Sequence, residues 1–437
     1  MQEQRLLTAR VLHRWSFGPR PGQYANTLTT GAAATAAAQL ILSTNPVNAE
    51  LDVARTPVPV FERVNKFTAT DRQAAILRRS EQQHQMTVWW LDRMVTTQQP
   101  LVERMVWFWH GHWATSINKV QDPRLMLKQN DTFRATALGD FIAQTKLLLR
   151  DPAMLVWLDG TGNRKGHPNE NLGRELLELF TMGVGNYLEL DVREAARALT
   201  GWKIDLDDVT SSFNAAQFDN TSKTVFNTTR NFDVDSLTDH VMQQPATAEF
   251  LVRRLWLRHM SETAPADAQM RALVNSMAGT FNMQLLVATM VNQTATELGD
   301  RPLAKAPVPW LVGVLRSLEL TIGGFDLLEQ KRVIRHLYSM GQVPFVPPSV
   351  AGWPSGGAWF TSTAAQSRLE LSQRLLRHAK LAWLARVKPA ARPTALADHL
   401  GVPVWTRKTA DILSSKRNSA ADAYILAINA PEYLVGV

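Results

Sequence analysis

The stretch TDRQAAILRRSEQQHQMTVWWLDRMVTTQ, residues 70–98, decides the fold class. Its apolar residues recur at three- and four-residue spacing, which is the period of one face of an α-helix. Pro100 suits the first turn of a second helix, which Gly111 is expected to end. The same period returns in 169–182, 190–201, 246–260, 283–293, 308–320, 327–340 and 364–385. We therefore predict a mainly α fold, a large multi-helix domain.

Two segments depart from this helical period. Residues 203–233 are rich in Asn, Thr and aromatic residues and predict a small irregular or β-hairpin insertion. Residues 341–363 predict a long loop rich in Pro, Gly and Trp. No repeat or low-complexity linker divides the chain, so residues 1–437 are predicted to form a single helical unit. The alternative division is a half at 1–202 that carries the candidate site, the insertion, and a second half at 234–437.

Composition excludes several classes of protein. The 437 residues include no Cys, which removes thiolate nucleophiles, CxxC zinc sites and iron–sulfur clusters. The net charge of +8 is spread along the chain rather than gathered into a basic stripe, so nucleic acid is not an expected partner. The sequence has no phosphate loop, GxSxG elbow or HExxH motif, and no nucleotide, flavin or haem signature.

The sequence leaves the cellular location of the protein open. No stretch of 18 apolar residues is present, so no transmembrane segment is predicted. The opening residues MQEQRLLTARVLHRW lack a charged leader followed by an apolar core, so no signal peptide is predicted. A cytoplasmic protein is one alternative, and a mature form without its leader is the other.

Two histidines stand close together in the segment WFWHGHW, residues 107–113. Residues two apart lie about 200° apart around an unbroken helix, but a helix end at Gly111 would let His110 and His112 converge. With a carboxylate they would then form a metal site, or one neutral imidazole would act as a general base. The alternative is that His110 caps the helix and His112 forms a hydrogen bond in a Trp-rich core.

A polar string, NENLGRELLELF, follows at residues 169–180. On a helix its three glutamates, Asn171 and Arg174 fall within one arc of about 140°, opposite the leucines. If the arc is exposed, it is a solvated face with weak ion pairs. If it is buried, Arg174 must neutralise a carboxylate, either in a functional site or in a packed network. Asp159 is a candidate second carboxylate nearby.

Five segments carry a family resemblance. They are LLTARVLHRWSFGPRP (6–21), MVWFWHGHWATS (105–116), NENLGRELLELFTMGVGNYLELDVREAARALTGW (169–202), PATAEFLVRRLW (245–256) and MGQVPFVPPSVAGWPSGGAWFTS (340–362). Together they resemble the bacterial domain-of-unknown-function family numbered 1800. The resemblance implies a largely helical protein, secreted to the periplasm or the exterior, with a sulfatase-like protein encoded beside it as a candidate partner. It implies no established activity.

The family pattern matches this chain at His110, His112, Asp159, Asn169, Glu170, Asn171, Arg174, Glu175, Glu178, Asp191, Arg197 and Trp202. The chain departs from the pattern at Gly111, where the family usually has Asn. It departs again at Phe218-Asp219, where the family typically has His-Asp, so any role of that histidine is in doubt here.

The motifs and the resemblance together favour an enzyme with a pocket between the two histidines and the 169–178 helix. Glu170 or Glu175 is expected to be the general acid or base, with Asp159 as the second carboxylate. His110 and His112 are expected to be a base, orienting groups, or ligands of a divalent metal together with Glu175. The expected substrate-binding residues are Arg174, Asn169, Asn171, Trp109, Trp113, Trp353 and Trp359, the last two placing the 341–363 loop beside the same cleft.

Three functions stay open on this basis. Paired carboxylates beside aromatic residues are typical of glycoside hydrolysis, so the leading hypothesis is a hydrolase acting on an extracellular polysaccharide or a small polar substrate. A metal site with two histidines and a carboxylate would make the protein a metal-dependent hydrolase or oxidoreductase. The third alternative is a non-catalytic, secreted binding or scaffold protein.

Overall fold

The structure, a computed structural model, describes residues 1–43, 52, 54–64, 69–277, 279–299, 301–415 and 419–436. Within these residues 23 α-helices stand beside only two small antiparallel sheets of two strands each. The predicted fold class is therefore confirmed. None of the described helices is both long enough and apolar enough to cross a lipid bilayer.

The described residues up to 198 are mainly helical. Its helices are α1 Gln2–Arg14, α2 Gln23–Leu28, α3 Ala33–Leu42, α4 Ala69–Thr96, α5 Pro100–His112, α6 Ile117–Val120, α7 Pro123–Ala135, α8 Phe141–Leu148, α9 Pro152–Trp157, α10 Glu170–Glu175 and α11 Glu189–Ala198. Directly after α10, Leu176–Thr181 form a π-helix. Proline opens α5 as expected, since its missing N–H has no partner in a first turn.

The insertion that follows is built from two hairpins. Strand β1, Trp202–Asp205, pairs with β2, Thr210–Phe213, and β3, Lys223–Val225, pairs with β4, Thr228–Arg230. This confirms the small β-hairpin insertion. Two residues of α11 hold it in place: Arg197 donates from Nε to Asp219, and Asp191 accepts from the Phe226 amide, with both distances 2.8 Å.

The remainder of the chain is again helical. Its helices are α12 Val234–Met242, α13 Pro245–His259, α14 Asp267–Ser276, α15 Met283–Thr296, α16 Pro307–Leu318, α17 Leu327–Ser339, α18 Ser362–Leu376, α19 Ala382–Ala385, α20 Arg392–Leu400, α21 Arg407–Leu413, α22 Ala420–Asn429 and α23 Pro431–Leu434. The single helix expected over 364–385 is wrong. Tight turns, with amide hydrogen bonds from Arg377 to Arg374 and from His378 to Leu375, end α18 before α19 begins.

Helices from the two halves of the chain pack together. The helix α1 packs against α3 and α15, and α4 packs against α16. The Ala-rich α3 buries its small side chains, among them Ala34, Ala37 and Ala38, so it can lie close to its neighbours. Whether these parts form one folding unit or separate halves stays a prediction.

The loop between α17 and α18, at 340–361, lies across α5. It approaches α5 at Gly352, which has a φ of 81° and no side chain. A Cβ there would stand 2.1 Å from the carbonyl oxygen of Gly111. The loop also accepts a hydrogen bond at Phe345, from the Ile117 amide at 3.0 Å. Glycine at 352 therefore lets the loop reach the end of α5.

Candidate functional site

The two histidines of α5 do not converge. The predicted helix end at Gly111 is wrong, because α5 runs through Gly111 to His112 and ends at Trp113, where φ is −93° and ψ is 51°. Residues two apart on a continuous helix face different directions. His110 and His112 are therefore in contact with different parts of the core.

His110 belongs to the contact between α5 and the loop. Its Nε2 accepts a hydrogen bond from the Phe345 amide at 3.0 Å, and its ring lies 5.3 Å from that of Trp353. Burial lowers the pKa of His110 to about 3, so the imidazole is neutral. This histidine anchors the loop.

His112 faces the other way, toward the π-helix. Its Nε2 lies 2.9 Å from the carbonyl oxygen of Phe180. Burial, followed by the nearby charges of Arg254 and Arg258, holds the pKa of His112 well below its usual value. Its Nδ1 is buried and has no hydrogen-bond partner among the described residues.

The polar string from 169 to 178 lies partly in solvent. Arg174 pairs with Glu189 at 2.6 Å and more loosely with Glu170, and these side chains are between 34% and 63% exposed. Glu178 accepts a hydrogen bond from the Tyr187 hydroxyl. Burial and the charge of Glu178 raise the pKa of Glu175. This is the geometry of the alternative in which the arc is a solvated face with ion pairs.

The other polar residues of that region hold the chain in place. The side chain of Asn169 caps α10 through the Asn171 amide and donates to the carbonyl of Asp159. Asn163 accepts from the Asn169 amide and donates to the carbonyl of Ala196 on α11, both at 2.9 Å. Asp159 itself is exposed and pairs with Lys119.

The predicted metal ligands His110, His112 and Glu175 are not brought together. Across the described part of the chain, no group of three or more His, Asp or Glu side chains is placed to hold a metal ion. Trp109 and Trp113 are both fully buried, so they belong to the core rather than to an accessible surface. The Nε1 of Trp109 donates to the carbonyl of Ala137.

A cavity lies on another side of His112, between α1, α5, α13 and the loop. It offers about 90 Å³ to the centres of water molecules, several times the roughly 10–15 Å³ that one ordered water needs. His112, Trp353 and Trp359 all line it. The predicted loop tryptophans therefore do border a cleft that contains His112, whereas Asp159 and the glutamates of 170–178 are not among its lining residues.

The lining of this cavity is strongly basic. Its basic side chains are those of Arg14, Arg104, Arg254, Arg258 and Lys305, beside the histidines His13, His112 and His259, and no described lining residue is Asp or Glu. Glu262 lies beside the rim, where its Oε1 accepts from the Ala304 amide at 2.7 Å.

Carbonyl oxygens, rather than carboxylates, satisfy these basic groups in part. Arg258 donates to the carbonyls of Trp353 and Pro354 at 2.6 and 2.8 Å, and Arg104 donates from Nε to the carbonyl of Arg14 at 3.1 Å. Burial lowers the pKa of Arg14 to about 9 and that of Arg104 to about 10. The cationic form of each group is therefore held at a cost.

Several donor atoms in the lining are left over. Arg14 Nε, Arg104 Nη1 and Arg254 Nε are buried and have no hydrogen-bond partner among the described residues. A buried arginine with free donors and no counter-charge is costly in a folded protein. An anion in the cavity would remove that cost.

An aromatic wall closes one side of the cavity. The rings of Trp107 and Trp353 stack with centroids 4.9 Å apart and planes 22° apart. Trp353 is 4% exposed and Trp359 is 3% exposed, so the wall is rigid packing rather than a mobile surface. The cavity therefore combines a fixed apolar side with a basic one.

Comparison with protein families gives one match. The profile of the family described as a protein of unknown function, DUF1800, matches residues 10–435. The chain belongs to the DUF1800 family. The resemblance carried by the five segments is thus confirmed over nearly the whole length of this DUF1800 chain. Comparison with curated proteins and comparison with solved structures each gave no match.

Sequence reasoning missed the basic residues of the cavity in this DUF1800 protein. They come from α1, α5, α13 and residue 305, so no local spacing relates them except that of Arg254 and Arg258, one turn apart on α13. A signal did exist in two of the quoted segments, since Arg14 stands three residues after Val11 and Arg254 three residues after Leu251, on helix faces that also carry apolar side chains. An arginine in such a position needs a partner, and here a partner of the right charge is not supplied by the lining.

Proposed function

We propose that this protein binds a small anionic ligand in the cavity beside His112. The observation that carries the proposal is the charge of the lining, in which four arginines meet no carboxylate among the described lining residues. Arginine forms strong, charge-assisted hydrogen bonds with oxyanions and presents several donors in a fixed plane. Buried donors without a partner on Arg14, Arg104 and Arg254 show that the surrounding residues do not fully satisfy these groups.

The cost of the empty arrangement supports the proposal. A buried charge without a partner destabilises a fold, and groups kept at such a cost are typically kept for binding or catalysis. The wall formed by Trp107 and Trp353 offers an apolar face to the carbon skeleton of a ligand. The ligand would therefore be small, with its anionic group toward the arginines.

Binding is tested by melting the protein with and without anions. An anion at 100 times its Kd adds about 2.7 kcal/mol of stability. With an unfolding entropy of about 0.9 kcal/mol/K for 437 residues, the expected rise in Tm is about 3 °C. Phosphate, sulfate, acetate and glycolate are compared at equal ionic strength, with chloride as the reference.

A matched pair of variants locates the effect. Arg254→Gln removes one charge from the cavity and is expected to weaken anion binding about 10- to 100-fold, the loss of one charged hydrogen bond. Arg174→Gln removes the same charge from the exposed pair with Glu189 and is expected to leave binding unchanged. If no anion raises Tm beyond chloride, or if both variants respond alike, the proposal is wrong.

We keep hydrolysis of an extracellular polysaccharide as a second proposal, on a different observation. Glu175 and Glu178 lie half-buried one helical turn apart, and burial with the charge of Glu178 raises the pKa of Glu175, as a general acid requires. Glu175→Gln would then lower turnover of acidic or neutral polysaccharides about 10²- to 10⁴-fold without loss of stability. Equal turnover by the variant and the parent would contradict it. A secreted location and a sulfatase-like partner rest on the family resemblance alone.

A further inference from the structure

Lys305 brings an amine to the lining of the cavity. It is the single lysine among the described lining residues, and it is half-buried. Its Nζ lies 3.2 Å from Nδ1 of His13, another lining residue, and 3.5 Å from the centre of the Tyr433 ring. Among the described residues no Asp or Glu offsets its charge. Lys305 therefore has an imidazole as its partner rather than a carboxylate.

The nitrogen of His13 that faces Lys305 is an acceptor. The other ring nitrogen, Nε2, lies 3.0 and 3.2 Å from the carbonyl oxygens of Leu400 and Gly401. Carbonyl oxygens only accept hydrogen bonds, so Nε2 carries the proton and Nδ1 has a lone pair. Burial, followed by the charge of Lys305, holds the pKa of His13 well below its usual value, so the ring is neutral. Nδ1 of His13 therefore accepts a hydrogen bond from Lys305.

The surroundings of Lys305 favour its neutral form. A cation over an aromatic ring such as Tyr433 gains about 0.5–2 kcal/mol, whereas a buried charge without a counter-charge costs several kcal/mol. Burial, followed by the charge of Arg104, accordingly holds the pKa of Lys305 well below its usual value. A lysine amine that is desolvated beside another cation is a nucleophile toward carbonyl groups.

The arginines of the cavity indicate which carbonyl compound would react. The charge of Arg104 acts on Lys305, so an anion held by Arg104 lies near the amine. A 2-oxo acid has its carbonyl group directly beside its carboxylate. Its carboxylate can therefore bind an arginine while its carbonyl carbon meets the amine, whereas a neutral ketone lacks the first of these contacts.

Resting on the proposed anion site, we infer that the ligand is a 2-oxo acid and that Nζ of Lys305 forms an imine with its carbonyl carbon. The nitrogen attacks the carbon, and Nδ1 of His13 takes the proton that leaves the nitrogen. A carbon–nitrogen double bond replaces the carbon–oxygen double bond and two N–H bonds. The oxygen leaves as water with those two protons, so the step consumes no oxidant or reductant.

Reduction of the imine tests this inference on the full chain. The protein is incubated at pH 7 with pyruvate and cyanoborohydride, which reduces an imine to a stable secondary amine, and the labelled lysine is located by peptide mass spectrometry. We expect a single label, on Lys305. Acetone has a carbonyl group and no charge. We expect it to label Lys305 about 10- to 100-fold more slowly, which is the contribution of one hydrogen bond to a charged group.

Two matched variants locate the reaction. Lys305→Arg keeps a cation and removes the amine, so the label should be lost. Lys380→Arg makes the same change at an exposed lysine outside the cavity and should be labelled like the parent protein. Lys305→Met replaces Lys305→Arg if the arginine variant does not fold. If neither folds, the peptide map of the parent protein decides.

The outcomes separate the imine from the anion site. The Kd values of pyruvate and acetate are measured by calorimetry without the reductant. If both bind and Lys305 carries no label, the imine is wrong and the anion site stands. If neither binds, the anion site is wrong and the inference falls with it. Equal rates of labelling by acetone and pyruvate, or equal labelling of many lysines, would also overturn the inference.

Discussion

Replacing Gly352 with alanine tests the contact between the loop and α5. The new Cβ would stand 2.1 Å from the Gly111 carbonyl oxygen, which is backbone in a helix and has little freedom to move. The φ of 81° adds about 1–2 kcal/mol for a residue with a side chain. Overpacking adds about 1–3 kcal/mol. We expect a total loss of about 2–5 kcal/mol in the free energy of unfolding.

The loss is measured by thermal and urea denaturation followed by circular dichroism. With an unfolding entropy of about 0.9 kcal/mol/K for a chain this long, Tm should fall by about 2–5 °C. The new side chain would also push the loop away from α5. Anion binding should then weaken, because Arg258 donates to the loop carbonyls of Trp353 and Pro354.

The facing residue provides the control for this variant. Gly111 is helical, and a Cβ there would meet the Trp353 ring at 3.7 Å, an ordinary contact. Gly111→Ala should therefore leave stability unchanged or raise it by up to about 1 kcal/mol, the advantage of alanine over glycine within a helix. A Gly352→Ala protein that melts at the wild-type temperature would refute the close approach of the loop to α5.

Three further predictions concern buried polar groups. Glu103→Gln should cost about 3–5 kcal/mol in a urea titration, since Glu103 pairs with Arg93 and Arg134 at 2.6 Å; a loss no larger than that of an exposed Glu170→Gln control would contradict this. Burial raises the pKa of Asp151 to about 7 from its ordinary 3.8, so the folded state keeps a proton that the unfolded state loses. Stability should fall as the pH rises from about 4 to about 7, and Asp151→Asn should flatten this slope; parallel pH profiles for the two proteins would count against it. Asn163→Ala should cost about 1–3 kcal/mol in Tm-derived stability because the Asn169 amide loses its acceptor, and an unchanged Tm would show that water replaces it.

Helices were predictable because their signals are local. The apolar period of 70–98 and the proline that opens α5 act within a few residues of the chain. The hairpin insertion was likewise predicted from composition. Such features depend on residues that lie close together in the chain, so the sequence of one segment is enough to predict them.

Local sequence signals did not predict that α5 continues through Gly111. Glycine can end a helix or continue it. Here the helix continues, and the loop lies across it, with Gly352 and Trp353 packed against Gly111. Because the helix continues, the two histidines separate and the predicted metal ligands do not meet. When a residue has two accessible backbone conformations, the residues that contact it in the folded protein determine which one it adopts.

The sequence by itself determined where helices begin, which faces they bury and which family the chain belongs to. Tertiary structure alone decided the candidate site, since its basic groups stand on α1, α5, α13 and residue 305. Arg254 and Arg258 stand one helical turn apart, but no spacing relates the groups on different segments, because these meet only after nonlocal packing of the helices. The apolar period of one segment predicts which of its faces is buried. A cavity lies between several segments, so its lining depends on how those segments pack.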